Sequence, residues 1–175
     1  PARLIAAVLA AAGLYAFGLI LNDLTDLATD RQLRPSRPLP RGALSLAQAR
    51  LALGLCLAAG LGFALAAGPD TFATAGILAV LITAYDTVLK HSPVYGPVSM
   101  GLCRGFSFLI GASLLGWPLM ALLPAVGLTG TVAAITAMAQ KEAHAHRFGN
   151  TAYRPLAWTV AFLLFTWLPG LHVSD

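Results

Sequence analysis

The sequence predicts an all-α fold, a multi-pass bundle of transmembrane helices, on three observations. Of 175 residues, 58% are hydrophobic and only 10% are charged, against about a quarter charged in ordinary globular domains. The apolar residues gather in runs of about 20, the length that crosses a bilayer as a helix. Glycine is plentiful at 17 residues, a load that membrane helices tolerate. The same composition excludes a polar disordered chain and argues against a soluble nucleic-acid binder, despite the net charge of +4. Cys56 and Cys103 lie far apart inside apolar runs. They offer neither a disulfide framework nor metal-ligand spacing and read as small core residues.

The elements follow in order. Residues 3–21 are apolar or small after Arg3 and form the first span. Residues 22–44 make a polar connection with the densest charge in the chain. Ser45-Leu-Ala-Gln48 reads as a capping box, the serine bonding the third amide and the glutamine bonding back. The second span then runs to residue 67, where Gly68-Pro69-Asp70 stops it. A third span covers residues 71–85, with Asp86 and Lys90 in its last turn. The fourth, residues 98–115, carries one internal charge, Arg104, and ends at the tight turn Gly116-Trp117-Pro118. A fifth span, residues 119–139, runs into a polar stretch, residues 140–154. The sixth starts at Pro155, a favoured first helical residue. The chain opens at Pro1 in an apolar helix without a basic leader. The expectation is one transmembrane domain cut from a longer polytopic protein.

Alternating crossings put residues 22–44, 90–97 and 140–154 on one face of the membrane. Most of the eleven Lys and Arg lie on or next to that face, Arg31, Arg34, Arg37, Arg41, Lys90 and Lys141 among them. The positive-inside rule makes it the cytoplasmic face of a cell (inner) membrane. Contact with membrane-lipid phosphates accounts for part of this basic charge. It does not account for the acids.

The chain has seven acidic residues, and Asp23, Asp26 and Asp30 stand together below the first span. At about 100° per helical residue, Asn22, Asp23, Asp26 and Asp30 share one arc of about 100°. Carboxylates so arranged repel one another unless a cation or donor neutralises them. One reading is a solvated, Asp-rich helix end. The other is a hard-cation site, since Mg²⁺ takes oxygen ligands and bridges one or two carboxylates to substrate phosphates. A diphosphate fits beside it, because Arg31, Arg34, Arg37 and Arg41 follow directly and supply charge-assisted bonds.

The stretch Asn22-Asp-Leu-Thr-Asp-Leu-Ala-Thr-Asp30 resembles the first Asp-rich motif of the UbiA superfamily of membrane prenyltransferases. Arg37-Pro-Leu-Pro-Arg-Gly-Ala-Leu-Ser45 is similar to the stretch that follows it in that family. The resemblance implies a bundle of about nine helices in the full protein, of which this chain would hold about six. It implies a prenyl diphosphate donor, Mg²⁺ as cofactor and an acceptor that the motifs do not identify. It makes Asp23, Asp26 and Asp30 the metal-binding residues. It gives Asn22, Arg34, Arg37, Arg41, Lys90 and Arg104 to the diphosphate, and Tyr85 and Asp86 to catalysis.

Gly96-Pro-Val-Ser-Met-Gly-Leu-Cys-Arg104 is similar to a stretch of some divergent members, in which Asn is expected where this chain has Ser107. A cation several residues inside a span, such as Arg104, normally faces a polar cavity or a partner acid. Gly101 and Gly105 read as a helix-packing face. The departure from the family is its second Asp-rich motif, in place of which stands Gln140-Lys-Glu-Ala-His-Ala-His146. Glu142 and His146 share a helix face there, and Glu142 is the remaining candidate metal ligand. A helix end favouring cations through its dipole is the plain alternative. The altered motif motivates a second hypothesis, a non-catalytic isoprenoid-lipid carrier. A transporter ranks last, because the charge gathers at one surface and no repeat is seen.

Overall fold

The computed structural model describes residues 1–145, and these form α1 (Ala2–Thr25), α2 (Leu27–Leu33), α3 (Leu46–Ala67), α4 (Pro69–Thr87), α5 (Tyr95–Ala112) and α6 (Leu119–Ala145), with 3-10 turns at Leu89–His91 and Ser113–Leu115. No strand occurs among them. Among the described residues, four stretches are long and apolar enough to cross a membrane: Ala2–Thr25, Leu46–Ala67, Tyr95–Leu115 and Leu119–Lys141. Large apolar side chains such as Leu4, Ile5, Leu51, Leu55, Met120 and Val126 are exposed, as a surface solvated by lipid requires. This is a helical membrane bundle. The expected sixth span lies outside the described residues.

The expected third span, α4, has the length to cross but not the apolarity of the other four. Its neighbours explain this, because α4 packs against α1, α3 and α5 and buries Thr71, Thr74 and Asp86. A helix lined by protein need not be as apolar as one lined by lipid. Its hydroxyls are satisfied internally. Thr74 donates to the Asp70 carbonyl at 2.7 Å, and Thr71 accepts from Ser113 at 2.8 Å.

Small residues set the helix approaches. A Cβ on Gly13 of α1 would meet the Gly60 backbone of α3 at 2.9 Å, so these helices touch backbone to backbone. On α5, a Cβ on Gly101 would strike the Thr129 carbonyl of α6, and one on Gly105 the Thr129 hydroxyl. The packing role read for both glycines is what the helices use. Gly105→Leu is therefore expected to cost about 1–3 kcal/mol or more through overpacking. Gly111→Leu on the same helix, with open space at its Cβ, should be neutral. Melting temperatures of the two variants in detergent check this, and equal values would refute it.

At the far end from the acids, Arg3 caps α3 by donating from Nε to the Ala67 carbonyl at 2.6 Å, a cation on the negative end of a helix dipole. The capping box that opens α3 forms as read. The Ser45 hydroxyl accepts from the Gln48 amide at 3.2 Å, and the Gln48 side chain accepts from the Ser45 amide at 2.9 Å. Between α2 and α3 the chain is a series of turns. Leu39 is buried and anchors them, and Gly42 takes the left-handed conformation at φ 75° that glycine adopts without strain. The Arg-Pro-Leu-Pro-x-Gly stretch is thus a compact loop that fixes where Arg37 stands.

Candidate functional site

The acids do not lie on one straight helix. α1 stops at Thr25, and Asp26 sits at φ −90° and ψ 1° before α2 begins. This bend sorts the carboxylates into two groups. In one, Arg37 donates from Nη1 to Asp23 at 3.1 Å and to Asp30 at 2.6 Å. Asp30 is buried at 3% exposure, and the exposed Arg34 stands 3.6 Å from its other oxygen. In the second, Lys90 donates to Asp26 at 2.5 Å and to the Thr25 hydroxyl at 2.8 Å. Lys90 thus crosses to α1 rather than closing an i,i+4 pair with Asp86. The Asn22 amide, with its nitrogen turned to the carboxylates, donates to Asp86 at 3.0 Å and Asp26 at 3.2 Å. Asn22 therefore ties the end of α1 to the end of α4.

Behind this polar rim lies a cavity of about 440 Å³. Asn22, Asp23, Arg37 and Asp86 stand at its mouth, and Leu14, Leu19, Leu78, Ile82 and Met100 line its apolar part. Tyr85, Cys103, Arg104 and Ser107 complete the α4 and α5 wall. From Asp23 to Ala11, the lining runs twelve residues along α1, about 18 Å at 1.5 Å per residue. Arg104 lies over the ring of Tyr15, 5.8 Å from its centroid.

Of the residues singled out in the sequence, Asn22, Asp23, Asp26, Asp30, Arg34, Arg37, Asp86 and Lys90 converge on the rim. Tyr85 and Arg104 line the cavity. Arg41 is exposed on the loop. The side chains of Glu142, His144 and His146 lie outside the described residues. Tyr15 and Thr25 were not singled out. Tyr15 had a signal, since it precedes Asn22 by seven residues and so falls within about 20° of it on the helix, two turns deeper. Gln140 packs at the same end, its amide donating to the Lys90 carbonyl at 3.3 Å.

Among the described residues, no three His, Cys, Asp or Glu side chains are grouped to hold one ion. The oxygen donors come in pairs, Asp23 with Asp30 and Asp26 with Asp86. Mg²⁺ commonly takes one or two carboxylates and completes its shell with waters and substrate phosphates. The pairs fit a metal that is shared with a phosphate-bearing ligand.

Comparison with known proteins bears on the same residues. The profile of the UbiA prenyltransferase family matches residues 1–174. A digeranylgeranylglyceryl phosphate synthase of Methanoculleus marisnigri is 35% identical over 116 residues, 66% of this chain and 41% of that protein. The enzyme of that name from Methanopyrus kandleri is 40% identical over 104 residues, 59% of this chain and 38% of that protein. The chain thus spans about two-fifths of the length of these relatives. No solved structure matches it. A charged rim over an apolar cavity, inside a helical membrane bundle matched over nearly its whole length, leaves one conclusion: the chain belongs to the UbiA prenyltransferase family.

Proposed function

We propose that the protein transfers a prenyl group from a prenyl diphosphate to a lipophilic acceptor, at the cytoplasmic face of the cell membrane. The observation that supports this most is the junction of opposite chemistries in one cavity. Asn22, Asp23, Arg37 and Asp86 meet an apolar lining long enough for an isoprenoid chain, and the ion pairs of Asp30 with Arg37 and of Asp26 with Lys90 stand beside them. Relatives named for a product with geranylgeranyl groups on a glyceryl phosphate support an isoprenoid donor. They make a glyceryl phosphate one candidate acceptor beside aromatic ones.

In this reading Arg34, Arg37 and Lys90 bind the diphosphate at the rim, and Arg41, exposed on the adjoining loop, is a further candidate contact. Asp23, Asp26 and Asp30, with Asn22, would hold Mg²⁺, and Glu142 is a further candidate ligand. When bound, the metal supplies charge stabilisation for the leaving diphosphate. The carbon–oxygen bond at C1 of the donor breaks, and its electron pair leaves with the diphosphate. The apolar walls keep water from the allylic cation, and the ring of Tyr85 stabilises it. The acceptor forms the new bond to C1 and gives up a proton, which Asp86 takes.

The test uses the full-length protein in membranes. Binding of geranylgeranyl thiodiphosphate, a non-hydrolysed donor analogue, is expected to tighten by about tenfold or more when Mg²⁺ is added. Binding indifferent to Mg²⁺ would sink the metal-assisted reading. One observation favours the carrier alternative: Gln140, at the place of the family's second Asp-rich motif, is a neutral residue used to tether α6 to the Lys90 loop. A carrier binds the analogue but never releases diphosphate from the true donor, whatever acceptor is supplied.

A further inference from the structure

Lys90 is held at both ends. Its backbone carbonyl accepts the Gln140 amide of α6 at 3.3 Å, and a Cβ on Gly96 of α5 would meet that carbonyl at 3.0 Å. Its ammonium reaches the end of α1, where Asp26 accepts at 2.5 Å and the Thr25 hydroxyl at 2.8 Å. The two acceptors differ in what the reaction asks of them. Asp26 is a candidate metal ligand, and a carboxylate that turns to a metal ion gives up part of its hold on the ammonium. Thr25 has no such second task. Its hydroxyl donates to the Asn22 carbonyl at 3.0 Å, the bond to the preceding turn that a helical threonine commonly makes. A hydroxyl has one proton and two lone pairs, and an ammonium only donates. With its proton committed to Asn22, Thr25 presents Lys90 with acceptor lone pairs alone.

We propose that Thr25 is a positioning residue for the prenyl diphosphate: it aims the Lys90 ammonium at the rim and keeps it there once Asp26 engages the metal. The proposal rests on the transferase reading and adds to it a residue that acts through Lys90. A lysine side chain carries about 2 kcal/mol of rotamer entropy. An anchor that fixes it in the free protein spares part of that cost when the diphosphate binds. The Lys90 side chain is only 9% exposed, so its stem is already confined and the hydroxyl has only the head to direct. Thr25 itself is exposed, water competes for its hydroxyl, and the expected effect is several-fold rather than larger.

The experiment is a double-mutant cycle on the full-length protein in membranes, with geranylgeranyl thiodiphosphate and Mg²⁺ as the probe. Thr25→Val keeps the shape without the hydroxyl and should weaken binding by about fivefold or more. Thr25→Ser keeps the hydroxyl and should stay within about twofold of wild type. Lys90→Gln should weaken binding at least as much as Thr25→Val. Adding Thr25→Val to it should then change binding by less than about twofold, because the anchor has nothing left to hold. A Thr25→Val loss that persists in full beside Lys90→Gln overturns the proposal. So does binding within about twofold of wild type in Thr25→Val, or an equal loss in Thr25→Ser. A second arm contains no prenyl diphosphate. Acetic anhydride labelling of Lys90 is read by mass spectrometry against the exposed Lys141. It should rise by about threefold or more when Thr25→Val is added to Asp26→Asn, and stay level when Thr25→Ser is added instead. Labelling of Lys90 indifferent to Thr25 overturns the anchor. Should wild type fail to bind the analogue while the labelling responds, the transferase reading falls and the hold of Thr25 on Lys90 stands.

Discussion

Asp26→Asn is expected to lower kcat/KM for prenyl transfer by about 100-fold or more while leaving a folded protein. Asp26 is where the two halves of the rim meet. It stands at the bend between α1 and α2, accepts from Lys90, and shares the Asn22 amide with Asp86. Asparagine keeps the shape and one acceptor oxygen but removes the negative charge. A group whose charge acts mainly in the transition state affects rate far more than stability. The Asp26 side chain is 30% exposed, so the loss of its ion pair should cost only about 1 kcal/mol. Turnover of geranylgeranyl diphosphate, measured beside the melting temperature, separates the two effects. A variant that turns over within about twofold of wild type would remove Asp26 from the chemistry. Turnover that falls only in step with folded protein would make its role structural.

The legible parts of the molecule were those encoded by local pattern. Helix lengths, the capping box at Ser45 and the turn at Gly116 rest on residues within a few positions of one another, where hydropathy and backbone geometry decide alone. The convergence of Asn22, Arg37, Asp86 and Lys90 was legible through motif resemblance, because residues at the same ends of neighbouring spans must share one surface. The pairing within that surface was not legible. Helical periodicity puts Asn22 through Asp30 on one stripe, but the chain bends at Asp26, and the bend separates Asp23 and Asp30 from Asp26. Nothing in the local sequence says that Lys90 prefers Asp26, 64 positions away, to Asp86, four positions away. Tertiary packing of α4 against α1 makes that choice. The lower apolarity of α4 is written in its own residues, but that protein rather than lipid surrounds it follows from its packing against α1, α3 and α5.

The second large effect is expected at Arg37, where structure and binding must be told apart. Arg37 neutralises two carboxylates at once, and the side chain of Asp30 is only 5% exposed. Removing Arg37 leaves the buried Asp30 carboxylate with only the exposed Arg34 at 3.6 Å, a loss that costs up to about 3 kcal/mol. Arg37→Gln should therefore destabilise the protein by about that amount and release the loop that Leu39 and Gly42 hold. Asp30→Asn alone leaves Arg37 with Asp23 and should cost less. In the double variant the buried charge and its partner are both gone, so most of the stability should return. The recovered fold does not restore the cation at the rim. Donor-analogue binding should thus stay weak in the double variant, by about tenfold or more. Thermal unfolding and geranylgeranyl thiodiphosphate titration on the same four proteins read both quantities. If binding returns with stability, Arg37 serves only to seat the loop. If stability fails to return, the ion pair with Asp30 is not what Arg37 contributes to the fold.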